Sequence, residues 1–79
     1  MLEQIITIIN IIRKNKGLPS SGKFTEKTNL MEDIGFDSFD LAELTVRIEE
    51  KFNVDIFENG IVNTLGEVLE IIKINQKQS

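Results

Sequence analysis

The sequence contains no cysteine, histidine, tyrosine or tryptophan, and only one proline among its 79 residues. Without cysteine, neither a disulfide nor a thiolate metal site can form. Without histidine, Ser-His-Asp and Cys-His nucleophile systems and histidine-ligated zinc are excluded. A chain this short has little core with which to enclose a water-excluded pocket. We therefore expect neither an enzyme nor a metal site.

Acidic residues outnumber basic ones, 13 to 9, which gives a formal net charge of -4. This balance disfavours nucleic acid as a partner, because binding phosphate requires clustered lysine and arginine. It suits protein partners with basic surfaces, although acidity can also serve solubility alone. Charge by itself does not separate these two interpretations.

The apolar stretch at residues 1–12 does not have the layout of a secretory signal. Glu3, Thr7 and Asn10 interrupt it, and its basic residues follow the apolar run instead of preceding it. The stretch is also far shorter than a transmembrane helix. We expect no membrane insertion and a cytoplasmic location.

Apolar spacing predicts a first helix over Leu2–Asn15, although its many isoleucines make a strand the rival interpretation. Gly17 and Pro19 should end this helix. A long loop follows, over residues 16–36. Four apolar residues are spaced to pin this loop to the core: Phe24, Leu30, Ile34 and Phe36.

A second helix is predicted from Asp37 to Phe52, with Asp37 as its N-cap. One apolar stripe of this helix should face the core: Leu41, Leu44, Ile48 and Phe52. A second stripe, made of Phe39, Ala42 and Val46, lies on another face and is bordered by acidic residues.

The last part of the chain predicts a short helical turn within residues 56–63 and then a third main helix. Thr64 and Glu67 have the spacing of a capping box at the start of that helix. We expect one domain over residues 1–79, ordered from about 2 to 74, with a frayed tail at 75–79. The predicted fold is all-α, a bundle of three main helices plus one short helix, and we expect a monomer.

The segment 35–40, Gly-Phe-Asp-Ser-Phe-Asp, resembles the G-x-D-S-L-D motif of the acyl carrier protein family, which includes D-alanyl and aminoacyl carriers. The preceding Leu30-x-x-Asp33-Ile34-Gly35 and the following Glu43-Leu44 fit the same pattern. The resemblance extends from about Ile5 to Ile72. It supports the expectation of an acyl-carrier-like bundle.

The resemblance implies that Ser38 carries a 4'-phosphopantetheine arm, donated from coenzyme A by a phosphopantetheinyl transferase. Acyl cargo would then be held as a thioester on the arm. Asp37 would cap the helix and help the transferase to recognise the site. The expected partner-binding residues lie along the second helix: Phe39, Asp40, Ala42, Glu43, Val46 and Glu50.

Further partners implied by the family are acyl-loading and acyl-transfer enzymes: a ligase, an acyltransferase or a ketosynthase. Phe39 stands where leucine is usual, and Arg47 and Lys51 add positive charge to a helix that is usually more acidic. These departures favour a specialised lipid or polyketide pathway. Asp37 stands where aminoacyl carriers usually have histidine, which favours acyl cargo.

Three alternatives follow from the same residues. The chain could be a D-alanyl or aminoacyl carrier. It could also be an unmodified helical interaction module, in which Asp37 and Ser38 only start a helix. A calcium-binding helix-loop-helix is the weakest alternative, because residues 33–40 lack the ligand spacing of an EF-hand.

Overall fold

A computed structural model describes residues 2–20, 23–58, 60 and 62–78. Its three helices, in chain order, are α1 (Leu2–Asn15), α2 (Ser38–Phe52) and α3 (Leu65–Gln78). Asn29 and Thr64 form an isolated antiparallel β-bridge. The all-α, acyl-carrier-like fold expected from the sequence is therefore confirmed. Among the described residues, no helix is both long and apolar enough to span a membrane.

Helix α1 buries one side of its isoleucine-rich sequence. Ile5, Ile8, Ile9 and Ile12 lie in the core, while Ile11 on the polar side stays 41% exposed. The helix ends in a Schellman motif, because Leu18 N donates to Arg13 O at 2.9 Å and Gly17 adopts a φ of 82°. The predicted stop at Gly17 is thus confirmed.

Helix α2 packs its central residues into the same core. Leu44 and Ile48 are fully buried, while Leu41 and Phe52 are partly buried against the core. Asn53 ends the helix in the left-handed conformation, with φ 59°, and its N–H donates to Glu49 O at 2.8 Å. The core stripe predicted for this helix is confirmed, with its two outer members only partly covered.

The long loop between α1 and α2 is anchored in the core by Leu30, Ile34 and Phe36, all at most 2% exposed. Asn29 organises the turn within it, because its Oδ1 accepts hydrogen bonds from the N–H groups of Met31 and Glu32. Apolar anchors and a local polar cap together hold this loop in place.

The same loop is joined by backbone hydrogen bonds to the start of α3. Leu30 N donates to Asn63 O at 2.8 Å, and Leu65 N donates to Thr28 O at 3.1 Å. A third bond runs from Gly66 N to Glu26 O at 2.8 Å. The loop is therefore fixed to α3 as well as to the core.

The short helix expected within residues 56–63 is two turns in the part of this segment that the structure describes. Glu58 N donates to Asp55 O and Gly60 N donates to Phe57 O, both as single i→i+3 bonds. Such a short segment cannot offset the cost of nucleating a helix. The path of this segment follows instead from the burial of its apolar side chains, since Val54, Ile56 and Val62 lie in the core. Residues 59 and 61 lie outside the described part of the chain.

Helix α3 begins at a cap made by Thr64, whose Oγ1 accepts from Glu67 N at 3.3 Å and donates to Glu67 Oε1 at 3.2 Å. In a full capping box, the Glu67 carboxylate would accept a hydrogen bond from the backbone N–H of Thr64. Here it accepts from the Thr64 hydroxyl instead. The helix is assigned as far as Gln78, into the tail for which the sequence predicts fraying. That fraying remains a prediction. The predicted buried face is confirmed: Leu65, Val68, Leu69 and Ile72.

Candidate functional site

Ser38 is the first residue of α2 and its side chain is exposed. Two neighbouring residues fix this position. Phe36, two residues earlier, is buried in the core, and Asp37 is the N-cap at which the helix begins. Within the described part of the chain, the Ser38 hydroxyl has no hydrogen-bond partner. This position leaves the oxygen open to a large enzyme.

A reciprocal capping box surrounds Ser38. Asp37 Oδ1 accepts from Asp40 N at 2.9 Å, and Asp40 Oδ2 accepts from Asp37 N at 3.0 Å. These bonds satisfy two backbone N–H groups that a helix start would otherwise leave unpaired. Because both carboxylates turn back towards the backbone, the serine between them is held on a rigid first turn.

The Asp40 side chain is buried, at 8% exposed, and forms an ion pair with Lys16. Burial alone would raise the pKa of this carboxyl, because desolvation disfavours its charged form. The hydrogen bond from Lys16, the bonds from Asp37 and the Lys16 charge outweigh burial and lower the pKa of Asp40. Asp40 therefore stays ionised at neutral pH.

The structure leaves most of the predicted partner face open. Phe39 is 84% exposed and Val46 is 54% exposed, and the side chains of Ala42 and Glu50 are also exposed. Glu43 is partly covered because its carboxylate pairs with Arg47 Nε at 2.8 Å. The apolar stripe and acidic border expected on this helix thus lie side by side on its surface.

Asp40 does not share that surface, although the sequence placed it with the partner-binding residues. Its carboxylate is engaged by Lys16 and by the capping box. Lys16 was missed as part of the site, because it lies 24 positions from Asp40 in the chain. The residues around a lysine at a helix end do not indicate which distant side chain it will contact.

A phosphodiester on Ser38 would suit this position. The first-turn amides of Ser38 and Phe39 have no partner within the described residues, and such amides together with the helix dipole favour an anion. Asp37, which is exposed, adds local like-charge repulsion. The residues present therefore fit a singly charged phosphodiester that points into solvent. The described residues contain no cluster of carboxylates that could hold a metal ion.

A small helical protein that presents an exposed serine at the start of a helix has the form of a carrier. The family described as "phosphopantetheine attachment site" matches residues 7–72, and the chain belongs to that family.

Three curated relatives share the name acyl carrier protein. The protein from Chlamydia caviae is 38% identical over 69 residues, which cover 85% of this chain and 88% of the relative. The protein from Wolinella succinogenes is 38% identical over 53 residues, 65% of this chain and 70% of the relative. The protein from Chlamydia felis is 37% identical over 68 residues, 84% of this chain and 86% of the relative.

Family membership fixes the class of the chain. Its prosthetic group is phosphopantetheine, and the chain is a non-catalytic carrier on which other enzymes act. The reactive thiol belongs to that group, which agrees with a sequence that has no cysteine.

Proposed function

We propose that the chain is an acyl carrier protein and that Ser38 is its attachment residue. The observation that carries this proposal is the exposed hydroxyl at the first position of α2, which has no hydrogen-bond partner among the described residues. It lies within residues 7–72, which match the phosphopantetheine family. The relatives named acyl carrier protein support acyl groups as the cargo.

In the attachment reaction, Ser38 Oγ forms a bond to the phosphorus atom next to the pantetheine arm of coenzyme A. The bond from that phosphorus to the bridging oxygen breaks, and adenosine 3',5'-bisphosphate leaves. The serine proton passes to a base of the transferase, since no side chain of this chain accepts a hydrogen bond from Ser38 among the residues described. When bound, the arm supplies the thiol that holds an acyl group as a thioester.

The chain's own residues present the serine and contact the partners. The capping box holds Ser38 on a rigid turn, and Asp37 offers an exposed carboxylate to a basic transferase. Phe39, Ala42 and Val46 form an apolar docking stripe with Glu43 and Glu50 beside it. Small, transient contacts of this kind suit a carrier that must leave one enzyme to reach the next.

The partners proposed are a phosphopantetheinyl transferase and acyl-loading and acyl-transfer enzymes in the cytoplasm. The docking face differs from the usual family pattern at two points: Phe39 is exposed where leucine is usual, and Arg47 pairs with Glu43 on a helix that is usually more acidic. These differences favour dedicated partners and therefore a specialised lipid or polyketide pathway. Asp37 favours acyl over aminoacyl cargo, with a D-alanyl or aminoacyl carrier as the alternative.

Intact-protein mass spectrometry tests the attachment site. The protein is incubated with coenzyme A and a broad-specificity phosphopantetheinyl transferase, beside a Ser38→Ala variant and a matched Ser20→Ala control. We expect a mass gain of one phosphopantetheine for the wild type and for Ser20→Ala, and none for Ser38→Ala. If folded wild type gains no mass with several transferases, the chain is an unmodified interaction module instead.

A further inference from the structure

Two basic side chains at the end of α1 reach across to the backbone that precedes α2. Arg13 Nη1 donates to Ile34 O, and Lys16 Nζ donates to Gly35 O at 3.1 Å as well as to the Asp40 carboxylate. Two consecutive carbonyls just before the Asp37 cap are therefore held by cations from another helix. We call Arg13 and Lys16 the α1 clamp.

The clamp itself is held in place. Arg13 Nε also donates to Pro19 O at 3.2 Å, and its guanidinium lies 5.6 Å from the centre of the Phe24 ring. This stacking on an aromatic face adds a cation–π attraction. Lys16 has 30% of its side chain exposed, and Asp40 has 11%. The Lys16–Asp40 pair is therefore more shielded from water and salt than an open surface pair.

The clamp holds the backbone at Gly35, between the buried residues Ile34 and Phe36. Gly35 has a φ of 86°, and an added Cβ there would meet nothing within 4 Å, so no neighbouring group packs against Gly35 on that side. Phe36 is buried and its N–H donates to Leu30 O at 3.1 Å. Among the described residues, Lys16 is the side chain that bonds both to the Gly35 carbonyl, before Phe36, and to the Asp40 carboxylate, after the Asp37 cap.

We propose that Lys16, supported by Arg13, is a positioning residue for Ser38. By binding Gly35 O and the Asp40 carboxylate together, Lys16 fixes the turn from Gly35 to the first turn of α2. Asp40 in turn accepts the Asp37 N–H, so the cap beside the serine depends on the same ammonium. The transferase then meets a serine that is already in place.

This proposal rests on the proposed role of Ser38 and predicts a particular kinetic change. Without the clamp, only a fraction of the molecules would present the serine correctly at any moment. The apparent KM for the carrier rises as that fraction falls, while kcat is unchanged because the bound complex is the same. Loss of hydrogen bonds to one ammonium predicts a rise of about fivefold.

The test compares Lys16→Met with Lys14→Met in transfer of phosphopantetheine from coenzyme A. Lys14 is a matched control, since it lies in the last turn of the same helix and its side chain is exposed. We expect KM for the carrier to rise about fivefold in Lys16→Met at unchanged kcat, to stay at the wild-type value in Lys14→Met, and to recover in Lys16→Arg. Asp40→Asn, which keeps an oxygen for the cap but removes the charge, should raise KM in the same way.

A second measurement does not depend on the transferase. Hydrogen exchange of the Asp37 and Phe36 amides, followed by NMR, should be faster in Lys16→Met than in Lys14→Met by a similar factor. Exchange of the Ile9 amide in the core of α1 reports on global opening and should increase less in Lys16→Met than exchange of the Asp37 amide. This comparison separates a loosened turn from a protein that is less stable throughout.

Several results would overturn the proposal. They are a KM for Lys16→Met equal to that of Lys14→Met, a fall in kcat at constant KM, or equal exchange of the Asp37 amide in both variants. A lower KM would also overturn it, because that is the effect of removing a cation that only repels a basic transferase. If the wild type itself is never loaded, the role of Ser38 fails instead, and the two failures are distinguishable.

Discussion

Gly66→Ala should destabilise the protein, although it replaces glycine with the best helix former. Gly66 lies in the first turn of α3, where alanine alone would add about 0.5–1 kcal/mol of stability. A Cβ at this position would lie 2.9 Å from Glu26 O and 3.3 Å from Glu26 Cβ. The first of these distances is much shorter than a normal van der Waals contact, so the atoms would clash.

The magnitude follows from which atom must move. Glu26 O is the acceptor for the Gly66 N–H at 2.8 Å, so relieving the clash stretches that hydrogen bond. A weakened backbone bond costs about 1 kcal/mol, and overpacking adds about 1–3 kcal/mol. After subtracting the helix gain, we expect a net loss of about 1–3.5 kcal/mol. For a domain of this size that corresponds to a fall in Tm of roughly 5–25 °C.

Thermal unfolding followed by far-ultraviolet circular dichroism measures this change. Lys73→Ala is the control, because Lys73 lies on α3 with its side chain exposed and should change Tm by at most about 4 °C. A Tm for Gly66→Ala above that of the wild type would refute the reasoning. It would mean that the loop around Glu26 is free to move away from α3 at no cost.

Three further changes test the core, the buried ion pair and the docking stripe. Ile9→Ala, at a fully buried position, should lower the free energy of unfolding in urea by about 2–5 kcal/mol, and an effect no larger than that of Ile11→Ala would contradict the assigned core. Because the pKa of Asp40 is lowered by folding, its stabilisation is complete above the unfolded value of about 3.9 and is lost as pH falls through the folded-state pKa. The stability difference between wild type and Lys16→Met should therefore be largest near neutral pH and shrink in acid, and a difference that is constant with pH would argue against the pair. Val46→Asp should slow transfer of the arm about tenfold with helicity unchanged, whereas Ile74→Asp on α3 should not; equal rates would place the docking stripe elsewhere.

The sequence predicted the helices well because each has a long apolar stripe and a recognisable end. Gly17 stops α1 and Asp37 starts α2, and both signals act within a few residues of the backbone they control. The apolar anchors of the loop were also found, since Leu30 and Phe36 have no other way to avoid water in so polar a segment.

The features that sequence analysis missed are those decided by contacts between distant segments. Lys16 forms an ion pair with Asp40, and Asp40 is therefore buried, although it was expected on the docking face. Arg13 reaches Ile34 O in the same way. Local spacing gives the type of a side chain but not which remote group lies beside it.

The pairing of Asn29 with Thr64, together with the Glu26–Gly66 hydrogen bond, has a consequence for synthesis of the chain. The ribosome makes Ser38 before it makes residues 62–66, so the loop that leads to the serine lacks its support during that interval. The loop before α2 can form its hydrogen bonds to the start of α3 only after residues 62–66 have been synthesised. We therefore expect nascent chains that stop before residue 62 to be poor substrates for the transferase, so that the arm is added chiefly to chains whose synthesis has passed the start of α3.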